Sequence, residues 1–89
     1  MDSFTKDPAA VLDYGCDWSE WLAAGETLTA ATWAVPAGLV LESSDHSTTL
    51  AVAWLSGGAA GTTYQVTNHI ETSAGRVDER SILIYVQER

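Results

Sequence analysis

The chain is poor in cysteine, in cations and in long apolar runs, and each shortage excludes something. Its single cysteine, Cys16, rules out an internal disulfide. A stapled secreted scaffold is excluded with it. Only four Lys and Arg residues stand against twelve Asp and Glu, for a net charge of −8. Binding nucleic acid requires phosphates to be neutralised by Lys and Arg, so no nucleic-acid partner is expected. No apolar run approaches the roughly 18–20 residues of a membrane span, so no membrane partner is expected either. The opening Met1-Asp2-Ser3-Phe4 lacks the basic start of a secretory leader. The expectation is a soluble protein made and assembled in a cytoplasm.

The few charges are unevenly placed. Residues 1–75 hold nine acids and one base, Lys6, whereas residues 76–89 hold three of each sign. Such acidity serves solubility, or it addresses a basic partner surface. Eighty-nine residues make one domain, just large enough to fold without staples.

What the chain has is tryptophan and alternation. Trp18, Trp21, Trp33 and Trp54 are many for this length, and each can contribute a large buried area to a small core. Tryptophan is also enriched at interface hot spots. Trp33 and Trp54 sit in alternating segments and are expected inside. Trp18 and Trp21 sit outside such segments and are candidate partner-binding residues.

The clearest alternation runs from Thr62 to Val86. Tyr64, Val66 and Ile70 oppose Gln65, Thr67, His69 and Glu71, which marks a half-buried strand. Ser73-Ala74-Gly75-Arg76 supplies a turn, with Gly75 free to take a positive φ. Ile82, Ile84 and Val86 then alternate again, completing a hairpin. Further strands are expected at residues 10–17, 27–35, 39–41 and 48–55, the last with Leu50, Val52 and Trp54 on one face. Residues 42–47 read as irregular, and 56–61 as a flexible connection. Asp17 to Gly25 carries capping residues and a terminal glycine, so one short helical turn is expected near residues 18–24.

About six to seven strands joined at short intervals predict an all-β fold, a single antiparallel β-sandwich over residues 10–89. The expected core is Leu12, Trp33, Val35, Leu41, Val52, Trp54, Tyr64, Val66, Ile82 and Ile84. Residues 1–9 show no period, and Pro8 biases Asp7 to an extended conformation. They are expected as an extended arm that docks on a neighbouring subunit through Phe4. The alternative is that the arm folds back on its own sandwich.

No residue set demands catalysis, and no enzyme is expected. Asp45-His46-Ser47 has the residue types of a hydrolase triad, but consecutive residues cannot converge on one site. His46 and His69 lie on separate elements without a cysteine pair, so no metal site is expected. Asp13 and Asp17 lie an even number of steps apart on one strand and so share a face, but even with Glu20 or Asp45 they lack calcium-loop spacing. Cys16 alternates with Leu12 and Tyr14 and reads as an inert core thiol. Gly57-Gly58 has no following lysine, so it is not a phosphate loop. Asn68-His69-Ile70 misses the Ser or Thr of a glycosylation acceptor.

Gly61-Thr62-Thr63-Tyr64-Gln65-Val66-Thr67 resembles the corner of immunoglobulin-like domains. The resemblance implies that the Tyr64 hydroxyl bonds back to nearby backbone. The chain as a whole resembles a group of small virion proteins of long-tailed bacteriophages, described as fibre–tail adaptors or minor head–tail proteins. The similarity spans residues 6–89. It rests on Lys6-Asp7-Pro8, Leu12-Asp13-Tyr14, Asp17-Trp18-Ser19, Trp21-Leu22, Thr32-Trp33, Val35-Pro36-Ala37-Gly38-Leu39, Trp54-Leu55-Ser56-Gly57-Gly58, Gly61-Thr62-Thr63-Tyr64, Val66-Thr67-Asn68, Ala74-Gly75-Arg76 and Asp78-Glu79-Arg80-Ser81. It implies a non-catalytic virion adaptor without cofactor, metal or small-molecule substrate, contacting other virion proteins in many symmetric copies. A capsid decoration protein and a free carbohydrate-binding module are the alternatives. Sugar stacking requires an exposed aromatic flanked by hydrogen-bonding groups, whereas docking requires aromatics buried against protein.

Overall fold

The alternation at the C-terminal end builds the deepest layer of the fold. In the computed structural model, which describes residues 2–88, β6 (Thr63–Thr72) and β7 (Val77–Val86) pair antiparallel, with Val66 opposite Ile82 and Tyr64 opposite Ile84. Val66, Ile70, Ile84 and Val86 are wholly buried. Each such side chain contributes about 1.5–3 kcal/mol through removal from water. Gly75 takes a φ of +82° and lets Thr72 N–H reach the Arg76 carbonyl at 2.9 Å.

Five more strands complete the sandwich: β1 (Asp2–Lys6), β2 (Leu12–Asp17), β3 (Leu28–Ala34), β4 (Leu39–His46) and β5 (Leu50–Gly57). One sheet has the order β1-β7-β6-β3, and the other β2-β5-β4. All pairs are antiparallel except β1 with β7, which is parallel. The core between the layers gathers Tyr14, Cys16, Trp18, Leu28, Trp33, Leu39, Leu55 and the β6–β7 residues.

Three expectations change. The segment read as an arm is a sheet strand: Asp2 pairs with Ile82 and Lys6 with Val86. The free edge of β7 supplies hydrogen-bond partners, and these offset an ordering cost of about 1–2 kcal/mol per residue. Lys6 pins the end of β1. It is fully buried, and its ammonium donates to the Gly57 carbonyl at 2.7 Å and the Asp7 carbonyl at 2.8 Å. Burial lowers its pKa, while the Asp7 charge opposes that shift.

Residues 42–46, read as irregular, continue β4. An exposed edge strand has no need of apolar alternation, because backbone pairing to β5 holds it. A register shift between Leu41 and Ser43 puts a bulge at Glu42. The expected helical turn is present as a single turn: Trp21 and Leu22 N–H both donate to the Trp18 carbonyl at 3.0 Å, and no helix follows. Ser19 N–H caps onto Asp17 Oδ1 at 2.9 Å.

The third change concerns the core. Trp33, Tyr64, Val66, Ile82 and Ile84 are buried, and Val35 is partly so. Leu12, Leu41 and Trp54 are exposed, by 37%, 38% and 43%, and Val52 is half-buried. On β5 the inward face is Ala51, Ala53 and Leu55, all at 0% exposure. Alternation placed Leu50, Val52 and Trp54 on one face correctly, but that face is the outer one. Small inward residues on β5 share the core with Trp18, Trp33 and Tyr14, and dense packing requires large side chains on one layer to be met by small ones on the other.

Candidate docking surfaces

Trp18 follows β2 and enters the core completely. Its indole Nε1–H donates to Asn68 Oδ1 at 2.9 Å, and Asn68 Nδ2 donates to the Thr32 carbonyl at 3.0 Å. Asn68 is an inward polar residue on β6, wholly buried, and these two bonds satisfy it. Trp21 packs edge-on against Trp18, with centroids 5.2 Å apart. Two arginines from β7 and its turn close over the pair. The Arg80 guanidinium lies 4.1 Å from the Trp18 ring centre, and that of Arg76 lies 4.0 Å from Trp21. Arg80 also donates to the Asp17 carbonyl at 2.7 Å.

Glu26 fixes this cover. Arg76 donates to both carboxylate oxygens, through Nε at 2.9 Å and through Nη2. Thr72 Oγ1–H donates to Oε2 at 2.6 Å, and Ala23 N–H to Oε1 at 2.9 Å. The Arg76 hydrogen bond, then those of Thr72 and Ala23, hold the Glu26 carboxyl down at about 2. Trp18 is therefore structural, which corrects its reading as a partner-binding residue. Trp21 is partly buried against the core beneath Arg76. Neither forms an open platform for a sugar. The sequence gives little hint of the Arg76–Glu26 clamp, because its members lie fifty positions apart.

Phe4, the expected anchor, is 36% exposed on β1 and packs on Tyr14, with centroids 5.3 Å apart. Tyr64 accepts a hydrogen bond from Ala59 N–H at 2.9 Å through its hydroxyl. Its ring lies against Gly38, where a Cβ would meet it at 2.9 Å. Gly38 also has φ +107°, so a side chain there is disfavoured twice over.

The remaining candidates are occupied by local structure. Ser47 Oγ accepts from Thr49 and Leu50 N–H, and Asp45 Oδ1 accepts from His46 N–H, so the triad-like run is the end of β4 and the turn that follows it. His69 Nδ1 lies 3.0 Å from Glu79 Oε2 on the outer sheet face. Cys16 is buried, and burial raises its pKa, away from thiolate chemistry. A shallow cleft beside it is lined by Asp2, Gly15, Asp17, Arg80, Ser81 and Ile82. Among the described residues no group of His, Cys, Asp or Glu is placed to hold a metal ion.

The outer face of β2-β5-β4 differs from all of these. Leu50, Val52 and Trp54 run along its central strand. Asp13 and Ser43 flank Trp54 across the two pairings, and Gly15 and Asp45 flank Val52. The signal for this face was present in the run Leu50 to Leu55, which is apolar on both strand faces.

The family model for the podophage GP4 fiber-tail adaptor protein gp77 matches residues 6–85. The chain belongs to this family. The description carries the adaptor expectation and a phage-tail setting, but not the long-tailed attribution. No curated protein matches the chain. Among solved structures, the solution structure of the PKD domain from the KIAA 1837 protein is similar, with a TM-score of 0.55 and 16% identity. The match covers 99% of this chain and 80% of the other. At that identity the likeness shows the fold alone: an all-β, immunoglobulin-like sandwich in the gp77 adaptor family chain as in the PKD domain.

Proposed function

We propose that this protein is a non-catalytic virion adaptor that joins a fibre to the tail of its phage. The observation that carries the reading is the family match over residues 6–85. The structure supports it. A sandwich whose core is pinned by Trp18, Asn68 and the Arg76–Glu26 clamp is a stiff spacer, and stiffness suits a part that transmits position between two larger ones. It works with other virion proteins, in symmetric copies that multiply a weak single contact. It is made in the host cytoplasm and incorporated into the virion, without cofactor, nucleic acid or membrane.

Particles assembled without this protein test the reading. The expected result is complete heads and tails that lack fibres, restored when purified protein is added. Fibres at normal occupancy without it overturn the reading. Density for the protein on the capsid shell alone, in a particle reconstruction, replaces it with the decoration role.

A further inference from the structure

We infer that the outer face of the β2-β5-β4 sheet is the docking surface for a virion protein whose own patch is apolar and rimmed by Lys and Arg. This rests on the adaptor reading and names the surface through which it acts.

A sheet with one solvated face ordinarily shows polar side chains to water. The opposite sheet does so along β6, where Gln65 and Thr67 bond Ser81, and His69 meets Glu79. On β5 the outward residues are Leu50, Val52 and Trp54, with Leu50 38% and Trp54 43% exposed. Val40, 51% exposed, extends the strip from β4, opposite Ser56. An apolar strand centred on a half-exposed tryptophan is the composition of an interface core rather than of a free surface.

The charges around the strip choose the occupant. Asp13 and Asp17 lie on its β2 side, and Glu42 and Asp45 on its β4 side. Ser56 Oγ–H donates to Glu42 Oε2 at 2.5 Å, which places that carboxylate over the same face. The three strands contain no Lys or Arg. Lys6 is buried, and Arg76 and Arg80 are committed to Trp21 and Trp18. A second copy of this chain would set carboxylates against carboxylates, so self-association through this face is opposed. A patch rimmed by cations meets both the strip and its border, and would speed encounter as well as fix register.

The test mixes the full chain with particles assembled without it, and measures incorporation, association rate and salt dependence. Wild type is expected to bind, more slowly as salt rises. Trp54→Ala is expected to lower affinity by at least about tenfold. The pair Asp13→Lys and Asp45→Lys is expected to slow association by about tenfold and flatten the salt dependence. Tyr85→Ala, removing an aromatic of similar 41% exposure from the opposite sheet, is expected to bind as wild type does. Thermal melts of each variant confirm folding. Because the aspartates are exposed, their reversal tests the face even if Trp54→Ala melts early. Wild type and both face variants binding alike overturn the surface assignment and leave the adaptor reading standing. Wild type failing to bind overturns both. Retention on immobilised neutral polysaccharide that Trp54→Ala abolishes, with particle binding unchanged, makes the face a glycan platform and also overturns the assignment.

Discussion

Strands β5 and β6 are both central in their sheets, and they obey different rules. Strand β6 alternates strictly: Tyr64, Val66, Asn68, Ile70 and Thr72 point inward, and polar residues point to water. Strand β5 is apolar both ways, with Ala51, Ala53 and Leu55 inward and Leu50, Val52 and Trp54 outward. Period-two patterning decides which face is buried only when the other face is polar. Where both are apolar, alternation leaves the choice open, and here the face carrying Ala51 and Ala53 went inside. The difference teaches that bulk is a poor guide to burial on such a strand, and that the rejected bulky face is a place to look for a partner.

The comparison breaks first under truncation of the inward residues. Ile70→Ala on β6 should destabilise by about 2–5 kcal/mol, through lost transfer energy and a cavity. Denaturant unfolding checks it, and a loss below about 1 kcal/mol would mean that β6 is not the deeper strand. Trp18→Ala tests the same layer and should fall near the top of the ~3–5 kcal/mol range for large aromatics.

Asn68→Ala should cost about 1–3 kcal/mol, because it strands the Trp18 Nε1–H and the Thr32 carbonyl in a dry interior. Tyr64→Phe should cost about 1–1.5 kcal/mol with the fold unchanged, since Ala59 N–H loses its acceptor. An unchanged chemical-shift map with no loss in the melt would show that water replaces the hydroxyl at no cost.

The Thr72 end of β6 is read through pH. Glu26 has its carboxyl lowered from 4.5 to about 2 in the folded protein. A lowered folded value contributes stability that is fully present above about pH 4.5 and is lost as pH falls towards about 2. Melting temperature should therefore decline over that window. Glu26→Gln should start lower at neutral pH and show a shallower decline. A parallel decline in both proteins would assign the acid sensitivity elsewhere.

The smallest effect belongs to β5. Trp54→Ala should change stability by no more than about 0.5 kcal/mol, the usual range for a surface site. It should also remove the tryptophan fluorescence most accessible to an aqueous quencher. A loss of several kcal/mol would put Trp54 back in the core and end the contrast between the two strands.

Much of the candidate surface was legible in the residues, but its direction was not. Leu50, Val52 and Trp54 were grouped correctly by alternation, and Asp13 and Asp17 were placed on one face of β2. Which face met water depended on residues far away in the chain. Trp18 misled for a related reason. Its segment has no strand period, so it read as surface, yet a buried acceptor on Asn68, fifty residues away, draws the indole inside. Only long-range geometry reveals that partner.

By itself the sequence determined an all-β sandwich, the β6–β7 hairpin with its Gly75 turn, and the inward placement of Cys16. These follow from local rules: strand period, the backbone freedom of glycine, and alternation around Cys16. The tertiary structure alone decided that residues 2–6 join the sheet as a parallel strand, that Arg76 and Arg80 roof two tryptophans, and that β5 turns its bulk outward. Each of these turns on pairing edges, charges or volumes brought together from distant positions, and period-two alternation carries no information about which distant surface a strand will meet.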